Sequence, residues 1–65
     1  MIRDPEKLIG KRYTCEFRVV EVEPGPPGLG TRQITLYMYG EKYTLSLEEV
    51  STLIETGFVM EVEER

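Results

Sequence analysis

The chain has 65 residues, and eight Lys and Arg against twelve Asp and Glu give it a net charge of −4. It contains no His and one Cys, which excludes the usual zinc sites, a disulfide framework and a His-activated nucleophile. Apolar runs are too short to span a membrane and Met1 is followed by no signal region, so we expect a cytoplasmic location. Scarce Asn, Gln and Cys with many Glu are typical of thermophilic proteins.

The length predicts one small domain over residues 1–65. A chain this short buries only about 60% of its unfolded surface, so a partner or self-association would add useful stability. The acidic balance also disfavours general phosphate binding.

The first two predicted elements are a helical turn and a long strand. Asp4 is placed as the N-cap of the turn, Pro5 as its first helical residue and Gly10 at its end. The strand covers 11–23, and its apolar alternation shifts by one residue after Val19. Such a shift is typical of a β-bulge or a sharp bend. The alternation places Cys15 on the core face of this strand.

A loop and a hairpin follow. Residues 24–30 contain three Pro and three Gly, which predicts a stiff loop. Strands over 31–39 and 42–47 flank Gly40-Glu41, a two-residue connection with Gly first that indicates a type II′ turn. This register opposes Leu36 to Leu45. It predicts a core face of Ile34, Leu36, Met38, Tyr43, Leu45 and Leu47, and an outer face of Thr35, Tyr37, Tyr39, Lys42, Thr44 and Ser46.

The last elements are a helix and a strand. Ser46 and Glu49 form a capping box, which predicts a helix over 47–56 that ends at Gly57. Its predicted apolar face is Leu47, Val50, Leu53 and Ile54, and its outward residues are Glu48, Glu49, Ser51, Thr52 and Glu55. The strand over 58–63 is predicted to turn Phe58, Met60 and Val62 inward and Val59 outward.

The element order is therefore turn-β-β-β-α-β, a β-rich α+β fold. We expect a small, strongly bent four-stranded antiparallel sheet or a partly open SH3-like or OB-like barrel with one short helix. A flatter sheet with the helix across one face is the alternative.

The sequence favours a non-catalytic protein. Most of its carboxylates are predicted at outward positions, where nothing raises their pKa. Glu16, in the middle of the predicted strand, is the exception, but the simpler interpretation is that it too is a surface residue. A buried Cys15 would behave as a small hydrophobe. No glycine-rich phosphate loop is present, so we expect neither a cofactor nor a metal.

Two groups of residues are candidates for partner binding. Tyr37 and Tyr39 share the outer hairpin face with Lys42, an arrangement that suits either a protein surface or single-stranded nucleic acid; Tyr is also simply common in strands. If the first and last strands adjoin, an acidic face results that suits a basic partner, although such residues also keep a small domain soluble. The acidic candidates are Glu21, Glu23, Glu61 and Glu63.

The sequence thus favours a protein-binding module, an accessory subunit or inhibitor that occupies a surface of a larger protein or complex. The alternative is a single-stranded nucleic-acid-binding barrel that uses the Tyr37, Tyr39 and Lys42 face. A homo-oligomer stays open, and no motif identifies a family.

Overall fold

The computed structural model describes residues 2–23 and 32–63. They form a small α+β fold with a three-stranded antiparallel open sheet, in the order β1-β2-β3, and one helix. The predicted fourth strand and SH3-like or OB-like barrel are not confirmed, and the loop predicted at 24–30 lies outside the described residues. The elements are a 3-10 turn Pro5–Leu8, β1 Arg18–Val22, β2 Gln33–Met38, β3 Glu41–Ser46 and α1 Leu47–Glu55.

The shift in phase within the first strand is a β-bulge, as predicted. Val19 and Glu21 oppose consecutive residues of β2, so Val20 is the extra residue. The bulge lets Val19 and Val22 both pack towards the core, while Arg18 and Glu21 are both exposed. The outer face of β1 therefore carries two charged side chains close in sequence.

The hairpin turn is Tyr39-Gly40, so the predicted Gly40-Glu41 type II′ turn is wrong. Both turn residues have positive φ, 53° at Tyr39 and 79° at Gly40, which is the requirement of the type I′ class. Type I′ and type II′ turns each contain a position with positive φ that glycine adopts readily, so the presence of Gly40 does not by itself distinguish them. The structure places Tyr39 in the turn rather than at the end of a strand.

The hairpin register consequently differs by two residues from the predicted one. Leu36 lies opposite Tyr43 instead of Leu45. Side chains alternate with a period of two, so a two-residue difference leaves the residues that remain in β2 and β3 on their predicted faces; Tyr39 is the exception, because it lies in the turn. Ile34 and Leu36 are fully buried, and the other predicted core-face residues pack against them.

The first half of the predicted long strand is a turn. Cys15 and Glu16 have positive φ, 62° and 50°, and this reversal ends any strand there. Tyr13 and Phe17 on either side are buried, with their rings edge to face at 5.2 Å. Cys15 itself is only half-buried, so its predicted place in the core is wrong.

Helix α1 begins with the predicted capping box. The Glu49 N–H donates to the Ser46 Oγ at 3.2 Å, and the Ser46 N–H donates to the Glu49 carboxylate at 3.0 Å. Ser51, predicted to face outward, is buried, and its Oγ accepts the Ile2 N–H at 3.4 Å. Among the described residues, no helix has the length and apolar character needed to cross a bilayer.

The predicted orientation of the last segment is wrong. Val59 is fully buried, whereas Phe58 and Met60 are 61% and 57% exposed. The cause is the path after α1: the Val59 N–H donates to the Leu53 carbonyl at 3.1 Å, which turns Val59 over the core. The segment forms one isolated bridge, between Tyr13 and Glu61, rather than a strand.

One hydrophobic core therefore lies between the inner face of the sheet, α1 and the two irregular segments. Its buried members are Leu8, Tyr13, Phe17, Val19, Ile34, Leu36, Val50 and Val59. The helix and the irregular segments cover one face of the sheet. The functional candidates lie on the opposite face, around the hairpin turn and on the exposed side of the 58–63 segment.

Candidate functional site

A row of polar side chains crosses the outer face of the sheet. Arg18 of β1 lies opposite Tyr37 of β2, and Tyr37 lies opposite Lys42 of β3. The Arg18 guanidinium carbon is 5.3 Å from the centroid of the Tyr37 ring, within range of a cation–π contact. Arg18 and Lys42 are exposed and Tyr37 is half-buried.

A cleft of about 510 Å³ adjoins this row. Its charged lining is Lys11, Arg12 and Arg18 with one carboxylate, Glu16. The remaining lining residues are Phe17, Tyr37 and Gly40. We call this feature the basic cleft, because three cations face one anion in a chain whose net charge is −4.

Tyr39 does not continue the row that contains Tyr37 and Lys42. It lies in the hairpin turn with 64% of its surface exposed. A hydrogen bond between its hydroxyl and the Cys15 thiol is the main reason that the pKa of Tyr39 is raised above its ordinary value. Tyr39 therefore lies near Cys15, and the prediction that it shares the outer face of the sheet with Tyr37 is wrong because Tyr39 is a turn residue.

Tyr39, Phe58 and Met60 form what we call the apolar patch. The Cys15 thiol, which reaches Tyr39, also donates to the Phe58 carbonyl with a sulfur–oxygen distance of 3.8 Å. Thr14 holds the next part of the patch: its Oγ1 accepts the Met60 N–H at 3.0 Å, and its N–H donates to the Met60 carbonyl at 2.9 Å.

Sequence reasoning missed Phe58 and Met60 as surface residues. Their alternation with Glu61 and Glu63 is typical of a strand with the apolar residues inside. Apolar alternation does not reveal that Val59 takes the buried position instead, because the hydrogen bond from the Val59 N–H to the Leu53 carbonyl near the end of α1 determines it.

The acidic candidates lie in two separate places. Glu21 and Glu23 line a shallow cleft on the outer face with Thr35 of β2. Glu61 instead bridges Tyr13, and its carboxylate lies 3.6 Å from the Lys11 ammonium. Glu63, near the end of the described chain, is exposed. The prediction of a single acidic face required the 58–63 segment to lie beside β1. Instead, β1 pairs with β2 in the sheet, and Val19 of β1 forms a bridge with Ile9.

The carboxylates of Glu49 and Glu6 have a lowered pKa, which favours their ionised form. The pKa of Glu49 is lowered by hydrogen bonds from the Ser46 backbone and then its side chain. The pKa of Glu6 is also lowered, by a bond to its own backbone and then by Arg32, whose guanidinium is 2.8 Å away. Among the described residues, no group of three His, Cys, Asp or Glu is placed to hold a metal ion.

Comparison of the chain with models of protein families, with curated proteins and with solved structures found no match. The roles of the basic cleft and the apolar patch are therefore inferred from their geometry alone. They meet at the Cys15-Glu16 turn, since Cys15 contacts the apolar patch and Glu16 lines the basic cleft.

Proposed function

We propose that the protein is a non-catalytic cytoplasmic binding module, an accessory subunit or inhibitor that occupies a surface of a larger protein or complex. The observation that supports this function is the apolar patch, whose three side chains are 64%, 61% and 57% exposed. Tyr, Phe and Met are the residue types enriched at the centres of protein interfaces. Covering the exposed part of such side chains with a partner removes apolar surface from water, which favours the complex and offsets part of the entropy lost on association.

The backbone that presents the patch favours the same function. Tyr39 lies in a two-residue turn, and Thr14 makes two hydrogen bonds to the Met60 backbone. Anchors on an ordered backbone lose less conformational entropy on binding than anchors on a flexible segment. Lys11 and Glu61 pair nearby and supply the polar rim that surrounds many interface centres.

The test is affinity capture from lysate with a double variant, Phe58→Ser with Met60→Ser. Both side chains are mostly exposed, so the variant should keep its far-ultraviolet circular dichroism spectrum. We expect it to lose at least about tenfold of any protein captured stoichiometrically by the wild type. Ile9→Ser is the matched control, because Ile9 is also exposed, at 44%, but bridges β1.

Either of two results would reject the patch as the binding surface. In one, the double variant captures the same protein as strongly as the wild type. In the other, the control and the double variant lose the partner equally.

A second candidate function is binding of single-stranded nucleic acid. The row of Arg18, Tyr37 and Lys42 favours it, since single strands bind where cations lie beside aromatic rings. Anisotropy with labelled oligothymidylate at increasing salt tests it. Phosphate contacts require affinity to fall steeply with salt, and Lys42→Gln should reduce the salt slope by about one. An affinity that does not change with salt would reject this function.

The acidic residues are a further proposed contact. Glu21 and Glu23 lie together on the outer face and suit basic side chains of the partner, whereas Glu61 and Glu63 belong to the segment that carries the patch. Charge reversal at Glu21 and Glu23 should slow association with the captured partner. An unchanged association rate would leave them only the role of keeping the protein soluble.

A further inference from the structure

We infer that the basic cleft binds carboxylate side chains of an acidic segment in the protein partner. This inference rests on the proposed protein-binding function and adds the chemistry of the partner. Three cations and one carboxylate line the cleft, and its volume of about 510 Å³ is within the range of ligand clefts, about 300–1,000 Å³.

Charge is the first reason for this assignment. The chain has eight basic residues in all, and three of them line this one cleft. Lys11 pairs with Glu61 at 3.6 Å, so Arg18 is the cation of the cleft on which the assignment depends most. A local cationic cluster on an otherwise acidic protein attracts anions to that place while the rest of the surface repels them. Lys42 extends the cationic region across the sheet, because it lies opposite Tyr37.

The placement of Arg18 is the second reason. Its guanidinium lies over the Tyr37 ring at 5.3 Å, and Tyr37 belongs to the central strand of the sheet. A guanidinium carries its N–H donors in its own plane, so one that rests on an aromatic ring can still bind a carboxylate through two parallel hydrogen bonds. Preorganisation of this kind lowers the entropy lost when the anion binds.

The same contact disfavours nucleic acid in this cleft. Single strands stack their bases on open aromatic faces, but Arg18 lies over the ring of Tyr37. Tyr39, the other candidate for stacking, lies in the hairpin turn and not in the row. Glu16 in the wall of the cleft and the net charge of −4 also oppose a polyphosphate more strongly than a short peptide with a few carboxylates.

The cleft and the apolar patch both border the Cys15-Glu16 turn. Cys15 and Glu16 are adjacent, and they contact the patch and the cleft respectively. One partner segment can therefore place apolar side chains on the patch and acidic side chains in the cleft. The expected partner segment has apolar residues followed or preceded by Asp or Glu.

The experiment uses fluorescein-labelled octaglutamate as the probe, octaglutamine as the uncharged control, and oligothymidylate as the competing class. Fluorescence anisotropy at low salt with the full chain should show binding of octaglutamate and none of octaglutamine. Arg18→Gln should weaken octaglutamate binding about tenfold, the loss expected for a charged hydrogen bond. Arg18→Lys should recover only part of it, because lysine lacks the paired donors.

Lys7→Gln is the matched charge control. It removes the same unit of charge, but Lys7 pairs with Asp4 at 3.8 Å and does not line the basic cleft. The inference is overturned if Lys7→Gln weakens the probe as much as Arg18→Gln, or if Arg18→Gln has no effect. Tighter binding of oligothymidylate than of octaglutamate, lost in Arg18→Gln, would overturn it in favour of nucleic acid.

The two proposals fail in different ways. Arg18 is not part of the apolar patch. If octaglutamate does not bind but partner capture still depends on Phe58 and Met60, only the inference about the cleft is overturned. Specific binding of octaglutamate without any capture that depends on the patch overturns the proposed function instead.

Discussion

The burial of Val59 leads to a prediction about stability that opposes the one from sequence alternation. Val59 is fully buried and Phe58 is 61% exposed. Val59→Ala removes two carbon groups from the core, worth about 1.6 kcal/mol in transfer free energy, and leaves a cavity that raises the cost to about 2–3 kcal/mol. Phe58→Ala removes a larger side chain, but we expect it to cost less than about 1 kcal/mol because less than half of that side chain is covered.

A loss of this size is a large part of the total stability. A domain of 65 residues is stable by roughly 3–10 kcal/mol. Urea unfolding followed by far-ultraviolet circular dichroism suits this chain, which has no Trp. With a slope of about 1 kcal/mol per molar urea, Val59→Ala should lower the unfolding midpoint by about 2–3 M.

The opposite order of effects would refute this reasoning. If Phe58→Ala destabilised the protein by more than about 2 kcal/mol while Val59→Ala had almost no effect, the segment would be a strand with Phe58 inside. The apolar patch would then not exist as a surface.

Three other changes test individual features. Ser46→Ala removes the acceptor of the Glu49 N–H and should lower the free energy of unfolding by about 1 kcal/mol in urea titrations; no loss would mean that the capping box does not form. Tyr39→Asn should leave the free energy of unfolding unchanged or slightly raised, because Asn-Gly is preferred in a type I′ turn, while partner binding weakens. A destabilised Tyr39→Asn would show that Tyr39 is needed for the fold. The lowered pKa of Glu49 means that its contribution is complete above the ordinary pKa of about 4.5 and is lost as pH falls through the lower folded-state pKa. Glu49→Gln should therefore show a shallower fall in the urea midpoint as the pH is lowered below about 4.5, and an equally steep fall would contradict the shift.

Local signals in the sequence were enough to predict several elements. The capping box at Ser46 and the glycine after α1 define that helix through contacts within a few residues. The bulge at Val20 is visible because the apolar residues themselves change phase. The two faces of the hairpin were also predicted, since alternation survives a two-residue difference in register.

Features determined by distant contacts could not be predicted in this way. Cys15 and Glu16 adopt positive φ against their intrinsic preference, in a turn that is held by hydrogen bonds from Thr14 to the last segment. Val59 is turned inward by a bond to Leu53. The turn depends on a contact between residues 46 apart in sequence, and the position of Val59 depends on the path of the chain after α1. Periodicity encodes neither.

The candidate site was predicted in part for the same reason. Tyr37 and Lys42 were correctly placed together on the outer face. Arg18 joins them because the ladder from β1 to β2 sets it opposite Tyr37. Phe58 and Met60 depend on the orientation of the last segment, so the surface they form with Tyr39 is visible only in the folded chain.

Amide chemical-shift mapping of the labelled protein, titrated with the captured partner, tests the proposed function most directly. We expect the largest shift changes at Tyr39, Phe58 and Met60, and further changes at Arg18 when the partner segment is acidic. Shift changes confined to the exposed side of α1, with the patch residues unaffected, would contradict it.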